Sequence, residues 1–151
     1  MAKLGLAGVM LAGLAGIILG LAPAAGAQAR ERYSVWDGVY TEEQLARGKE
    51  QYEYTCANCH IHDLTGDSIK DTPALGGGDF LDQWSGKTVA DLLEYMSTKM
   101  PPDSPGSLDA KTYAEIAAYV LKVNAFPSGK TPLGSDPARL AKTFLDREPK
   151  K

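Results

Sequence analysis

Cys56-Ala57-Asn58-Cys59-His60 holds both cysteines of the 151-residue chain and one of its two histidines. Two intervening residues let one turn of helix present both sulfurs on one side, and the adjoining His60 sets an imidazole beside them. C-x-x-C-H is the attachment pattern of c-type haem. The two thiols add to the two vinyl groups on one porphyrin edge, and the imidazole reaches the iron. A chain committed to that chemistry folds around a flat prosthetic group as well as around its own side chains. Three other uses of the same residues compete. A thioredoxin-type redox pair sits in a βαβ context, and no strand-like alternation of useful length is visible here. A structural zinc site from Cys56, Cys59, His60 and His62 would draw four ligands from seven consecutive residues, whereas tetrahedral sites normally use two separated pairs. A plain disulfide is the third. The motif together with the export signal described next favours haem.

Lys3 supplies a positive start, and Leu4 to Leu21 then runs for 18 residues without a charge, rich in Leu, Gly and Ala. Pro23 breaks the run, and Ala27-Gln28-Ala29 is a small-x-small cleavage site. This pattern predicts a secretory signal peptide over residues 1–29. The mature chain then begins near Arg30 and works in the periplasm. A retained membrane anchor competes, because 18 uncharged residues reach the lower limit of a span; the A-x-A site and the glycines favour cleavage. No cysteine stands directly behind the apolar run, so no lipid anchor is expected there. The formal charge of −3 becomes −4 once Lys3 is gone, with 15 Lys and Arg against 19 Asp and Glu. That balance argues against a nucleic-acid binder, which needs a basic patch for phosphates. Two cysteines are too few for a disulfide scaffold, and two histidines too few for a multi-histidine cage.

Residues 30–40 are polar and aromatic and read as an arm. Thr41-Glu42-Glu43-Gln44 is a capping box opening a helix, with Leu45, Gly48 and Tyr52 at helical spacing. Gly48 is costly inside a helix, so a close crossing by another element is its expected use. Residues 60–84 read as a loop, with Gly76-Gly77-Gly78 as a flexible turn. A structureless stretch of that length asks for something other than protein to wrap around. A second helix starts near Thr88, with Asp91 as capping partner, and points Val89, Leu92, Leu93 and Met96 inward. Pro101, Pro102 and Pro105 enforce an extended loop. Asp109 caps the strongest helix, about 110–124, whose apolar stripe is Tyr113, Ile116, Ala117 and Val120, with Val123 at its end. Asp136-Pro137 opens a short helix through Phe144. The expected class is all-α.

A histidine-ligated haem iron has a sixth position, and its occupant decides the function. With Met1 and Met10 in the leader, Met96 and Met100 remain. Met96 lies on the apolar face of the second helix and reads as core packing. Met100 stands just past that helix, ahead of a stiff Pro-Pro segment that can hold a sulfur over the iron. His62, two residues from His60, cannot cross to the opposite haem face and reads as a surface residue.

The capped helix leading to CANCH, Pro73-Ala74-Leu75, TKMPPDSPGSL and TYAEIAAYVLKVNAFPSG together resemble a class I cytochrome c over essentially the whole mature chain. That fold wraps three to five helices around one covalently bound haem c. VWDGVYTEEQLARG, FLDQWSGKTVADLLEYM and the MPP–PGSL–NAFPSG run resemble, more narrowly, the small monohaem cytochromes that accept electrons from periplasmic quinoprotein (PQQ-dependent) dehydrogenases. The resemblance implies thioether bonds at Cys56 and Cys59, His60 as proximal ligand and Met100 as distal ligand. Pro73 would lend its carbonyl to His60 Nδ1–H. Trp84 would donate its indole N–H to a haem propionate, or else be an ordinary core aromatic. Leu75, Leu92, Leu93 and Val120 would line the haem pocket. Gly48 would be the point where first and last helices cross, against Tyr119 or a neighbour. Residues 41–130 are then the cytochrome c domain, and 131–151 a C-terminal extension with a short helix that packs on its back face, is partly disordered, or docks a dehydrogenase. A His62 close behind the motif, where a glycine is more usual, implies only a local turn change.

The expected function is a periplasmic one-electron carrier, not an enzyme, whose iron cycles between Fe(III) and Fe(II). It takes electrons from a quinoprotein dehydrogenase and passes them to a respiratory oxidase. Two alternatives stay open: a haem enzyme or ligand sensor with an open sixth site, and a permanent cytochrome subunit of a dehydrogenase or membrane complex.

Overall fold

The computed structural model describes residues 31–148; the expected leader over 1–29 lies outside them. Among the described residues six α-helical segments follow in chain order: α1 (Glu42–Thr55), α2 (Ala57–His60), α3 (Gly77–Trp84), α4 (Val89–Lys99), α5 (Ala110–Val123) and α6 (Pro137–Leu140). Two-residue strands β1 (Tyr33–Ser34) and β2 (Thr143–Phe144) pair in parallel, and a 3-10 turn, Val35–Asp37, follows β1. Among the described residues α2 and α6 are single turns, which leaves four longer helices, within the three to five expected.

The long helices begin where local capping dictates. The Thr41 hydroxyl accepts from the Gln44 N–H at 3.3 Å while the Gln44 side chain accepts from the Thr41 N–H at 3.4 Å. Thr88 and Asp91 form the same reciprocal pair at the start of α4, at 3.1 and 2.8 Å. The Asp109 carboxylate accepts from the Thr112 N–H at 2.7 Å and starts α5. Each arrangement satisfies N–H groups that a helix start leaves without partners.

α1 and α5 form the spine. A Cβ on Gly48 would lie 1.8 Å from the Glu115 carbonyl oxygen, so the two backbones touch where the helices cross. The nearest partner atoms are backbone of Glu115 and Ile116, neighbours of Tyr119 one turn earlier on α5. Tyr119 itself meets Tyr52 edge-on, centroids 5.3 Å apart. Arg47 Nε stands 2.5 Å from the buried Glu115 carboxylate beside this crossing. Ile116, Ala117, Val120 and Leu121 complete the buried seam with Tyr52, while Val123, at the end of the expected stripe, is exposed.

Two expectations are corrected. The stretch 60–84 is not all loop: α3 occupies its last eight residues, with Gly76 as N-cap and Gly77 and Gly78 in its first turn. Phe80 and Trp84, one turn apart and both buried, hold this short helix to the core. The last helix stops at Leu140 instead of reaching Phe144. Thr143 and Phe144 are extended because they pair with Tyr33 and Ser34, a contact no local pattern announces.

Candidate haem-binding site

α1 hands directly into the motif. Cys56 caps it, donating its N–H to the Tyr52 carbonyl at 2.8 Å, and the Cys59 and His60 N–H groups both return to the Cys56 carbonyl at 3.1 and 2.9 Å. One turn thus gathers both thiols and the imidazole. Both cysteines are free thiols, Cys59 exposed and Cys56 half-buried. Burial, with a smaller effect of neighbouring Cys59, pushes the Cys56 thiol up to about 11. Among the described residues these side chains and His62 do not converge as a metal-holding cluster of the zinc kind. His62 points to the surface, its Nδ1 against the Glu53 carboxylate.

His60 is 8% exposed, and its Nδ1 lies 2.9 Å from the Pro73 carbonyl oxygen. A carbonyl only accepts, so Nδ1 carries the proton and Nε2 keeps a lone pair free to bind a metal. The loop that brings Pro73 there is tied at several points. The Leu75 N–H donates to Leu64 O at 2.8 Å, and the Gly66 N–H to His60 O at 3.2 Å. Gly66 has φ +71, and a Cβ there would sit 2.4 Å from the Thr72 carbonyl oxygen, so this hairpin closes only on glycine. Just past the motif, Ile61 itself takes φ 64, an unfavourable region for a β-branched residue. The Tyr52 hydroxyl pins that peptide, donating to Ile61 O at 2.7 Å.

Met100 ends α4, its N–H donating to Met96 O at 3.0 Å. Its carbonyl accepts from the Tyr113 hydroxyl at 2.7 Å. Met96 is half-buried and packs against the core. Trp84 is buried in an aromatic group, with Tyr95 5.5 Å away edge-on and Phe80 at 6.3 Å; the Lys87 ammonium lies 4.6 Å from the Trp84 ring centroid.

The predicted residues therefore fall into two sets. Cys56, Cys59, His60, Pro73 and Leu75 come together on the α1–α2 side, and Trp84 and Met100 belong to the α3–α4 side. Leu92 and Val120 are buried core residues. Leu93 lines a separate groove of about 920 Å³, bounded by Gln44, Ala90, Tyr113, Ala114 and Leu133, which none of the seven borders. Sequence reasoning missed the polar ends that tie the loops down: the Tyr52 and Tyr113 hydroxyls and the Asn124 amide. Asn124 donates to Leu75 O and Val120 O, both at 2.9 Å, and accepts from the Gly77 N–H at 3.0 Å. An asparagine just past a helix is a recognisable cap signal; its reach to the loop over 75–77 is not.

Two free thiols in one turn, beside an imidazole whose Nδ1 is already engaged, form a donor set that fits a covalently attached haem. The family model described as cytochrome C oxidase, cbb3-type, subunit III, matches residues 43–120. That span contains the whole C-x-x-C-H turn, Pro73, Trp84, Met100 and Tyr113. No curated protein matches the chain. Among solved structures, a chain of the sulfane dehydrogenase SoxCD from Paracoccus pantotrophus is similar, with a TM-score of 0.50 and 22% identity. The match covers 84% of this chain and 68% of that one. At that identity the likeness speaks for the fold.

Proposed function

The chain belongs to the cytochrome c family of that description, with a class I fold, covalently bound haem c and haem-based electron transfer as its chemistry; from this premise we propose a periplasmic one-electron carrier with His60 and Met100 as axial ligands. The observation that carries the reading is the Pro73 carbonyl on His60 Nδ1 at 2.9 Å. It fixes the tautomer, keeps the imidazole basic and aims Nε2 for coordination. Haem held by Cys56, Cys59, His60 and Met100 would supply the Fe(III)/Fe(II) couple, and imidazole and thioether ligation would raise its potential. The chain's own part is to hold both ligands still while the oxidation state changes. The Met100 main chain is fastened by its N–H to α4 and by its carbonyl to α5, which limits how far the residue can wander.

The signal segment supports periplasmic work. The donor we assign is a quinoprotein dehydrogenase and the acceptor a respiratory oxidase, following the resemblance of the segments around the motif. A charge of −4 without Lys3 favours a weak, largely apolar contact at the haem edge over a steered one, so electron-transfer rates should change little with added salt. The family description, which names an oxidase subunit, favours a second reading: a permanent subunit of a respiratory complex. Release of the protein in soluble form on opening the periplasm supports the carrier; co-purification with membranes through a retained N-terminal segment supports the subunit.

The ligand set is tested by absorption spectra of the purified holoprotein, oxidised and reduced, beside Met100→Ala. The carrier reading expects low-spin bands in both states and a weak near-red band in the ferric protein that the variant loses. A high-spin spectrum indifferent to Met100→Ala means an open sixth site, hence a haem enzyme or sensor.

A further inference from the structure

Helix α5 touches both ligand-bearing sides, and it does so through one polar group near each end. Near its start, Tyr113 is buried and its hydroxyl donates to the Met100 carbonyl at 2.7 Å. Just past its end, the buried Asn124 amide holds the loop that follows Pro73, bonding Leu75 O and the Gly77 N–H. Eleven residues separate the two, about 16 Å along a helix. The Gly48 contact fixes α5 against α1, and α1 leads into His60. We propose that Tyr113 and Asn124 are positioning residues for electron transfer: α5 is a brace that sets the Met100 loop from one end and the His60–Pro73 loop from the other. This rests on the His60/Met100 reading and deepens it.

The chemistry favours positioning over mere packing. A phenylalanine would fill the Tyr113 site equally well, so the hydroxyl matters only through the Met100 peptide. Asn124 spends three hydrogen bonds on one loop and its own helix end, which satisfies the last carbonyls and also sets the register of residues 75–77. Without the Tyr113 hydroxyl, the Met100 loop keeps its α4 contact at the N–H and loses its hold at the carbonyl. The sulfur then yields more readily to an external ligand.

The test uses holoprotein. In Tyr113→Phe, imidazole should bind the ferric protein about five- to tenfold more tightly, the scale of one net hydrogen bond, and the near-red band should weaken well below the melting temperature. In Asn124→Ala, that band should persist, while the His60 Nδ1–H exchanges with solvent at least about tenfold faster, by the same scale. Tyr40→Phe is the control. It removes a buried hydroxyl whose 2.6 Å bond goes to Phe126 O, on neither loop; it should lower stability and leave both signatures alone. If Tyr113→Phe lowers the melting temperature as Tyr40→Phe does, with imidazole affinity and band unchanged, the brace is wrong. If Met100→Ala itself leaves the spectrum unaltered, the ligation reading fails first.

Discussion

Single atoms decide the α1–α5 crossing. At Gly48 an added methyl would meet the Glu115 carbonyl oxygen at 1.8 Å and its carbon at 2.4 Å, and both are backbone that cannot rotate away. Overpacking a core by one methyl usually costs about 1–3 kcal/mol. Here the helices themselves must separate, so Gly48→Ala should lose at least about 3 kcal/mol in denaturant titration. Gly78, in the first turn of α3, has open space around its Cβ position and no positive φ. Gly78→Ala should therefore gain about 0.5–1 kcal/mol from helix propensity and reduced chain entropy. The pair separates a glycine used for contact from one that merely occupies a helix. If Gly48→Ala costs no more than an ordinary surface change, the backbone contact is not what joins the two helices.

Helix starts were legible because their chemistry is local. Thr41 with Gln44, Thr88 with Asp91, and Asp109 with Thr112 each lie within one turn, so sequence spacing contains the whole interaction. The acidic caps carry a pH signature. Backbone N–H donation from Thr112, then the Thr112 side chain, holds Asp109 below the ordinary carboxylate value of 3.8, and donation from Thr88 does the same for Asp91. The folded pKa lies below the unfolded one, so both caps contribute fully above about pH 4 and fade as pH falls through the depressed values. Asn caps as well as Asp without titrating. Asp109→Asn should thus match the parent in urea at pH 7 and lose less stability than the parent between pH 5 and pH 3; equal losses would remove Asp109 from the acid response. α3 was illegible for the opposite reason. Three glycines at its start read as a turn, and only Phe80 and Trp84 meeting the core make it a helix. The site divides in the same way. Cys56, Cys59 and His60 are adjacent and announce themselves. Tyr113 finds Met100 thirteen residues back, and Asn124 reaches nearly fifty back to Leu75, which no window of sequence contains.

At the scale of the whole molecule, the two ends of the described chain close on each other. Tyr33 N–H donates to Lys142 O at 2.9 Å, the Arg32 guanidinium grips the Asp146 carboxylate at 2.7 and 3.2 Å, and the Trp36 indole N–H donates to Asp146 O at 2.8 Å. The same segment is bound to the domain elsewhere. Gln44 exchanges two hydrogen bonds with the Leu133 backbone, and Leu145 pairs through its backbone with Gly86 and Lys87. Leu133, Leu140 and Leu145 are buried, and three such side chains contribute about 5–9 kcal/mol gross. That is comparable with the entire net stability of an ordinary domain, about 5–15 kcal/mol. Removing residues 131–151 should therefore lower the melting temperature of the holoprotein by at least about 15 °C. Should the truncated chain fail to assemble, Leu145→Ala carries the same test at about 2–5 kcal/mol. Gly86 and Lys87 lie between Trp84 and α4, so losing the strap also loosens the side that carries Met100, and the near-red band should weaken in step with stability. If instead the truncated protein melts and absorbs like the parent, and only its reduction by a dehydrogenase slows, the segment is a docking element for that partner and not a strap.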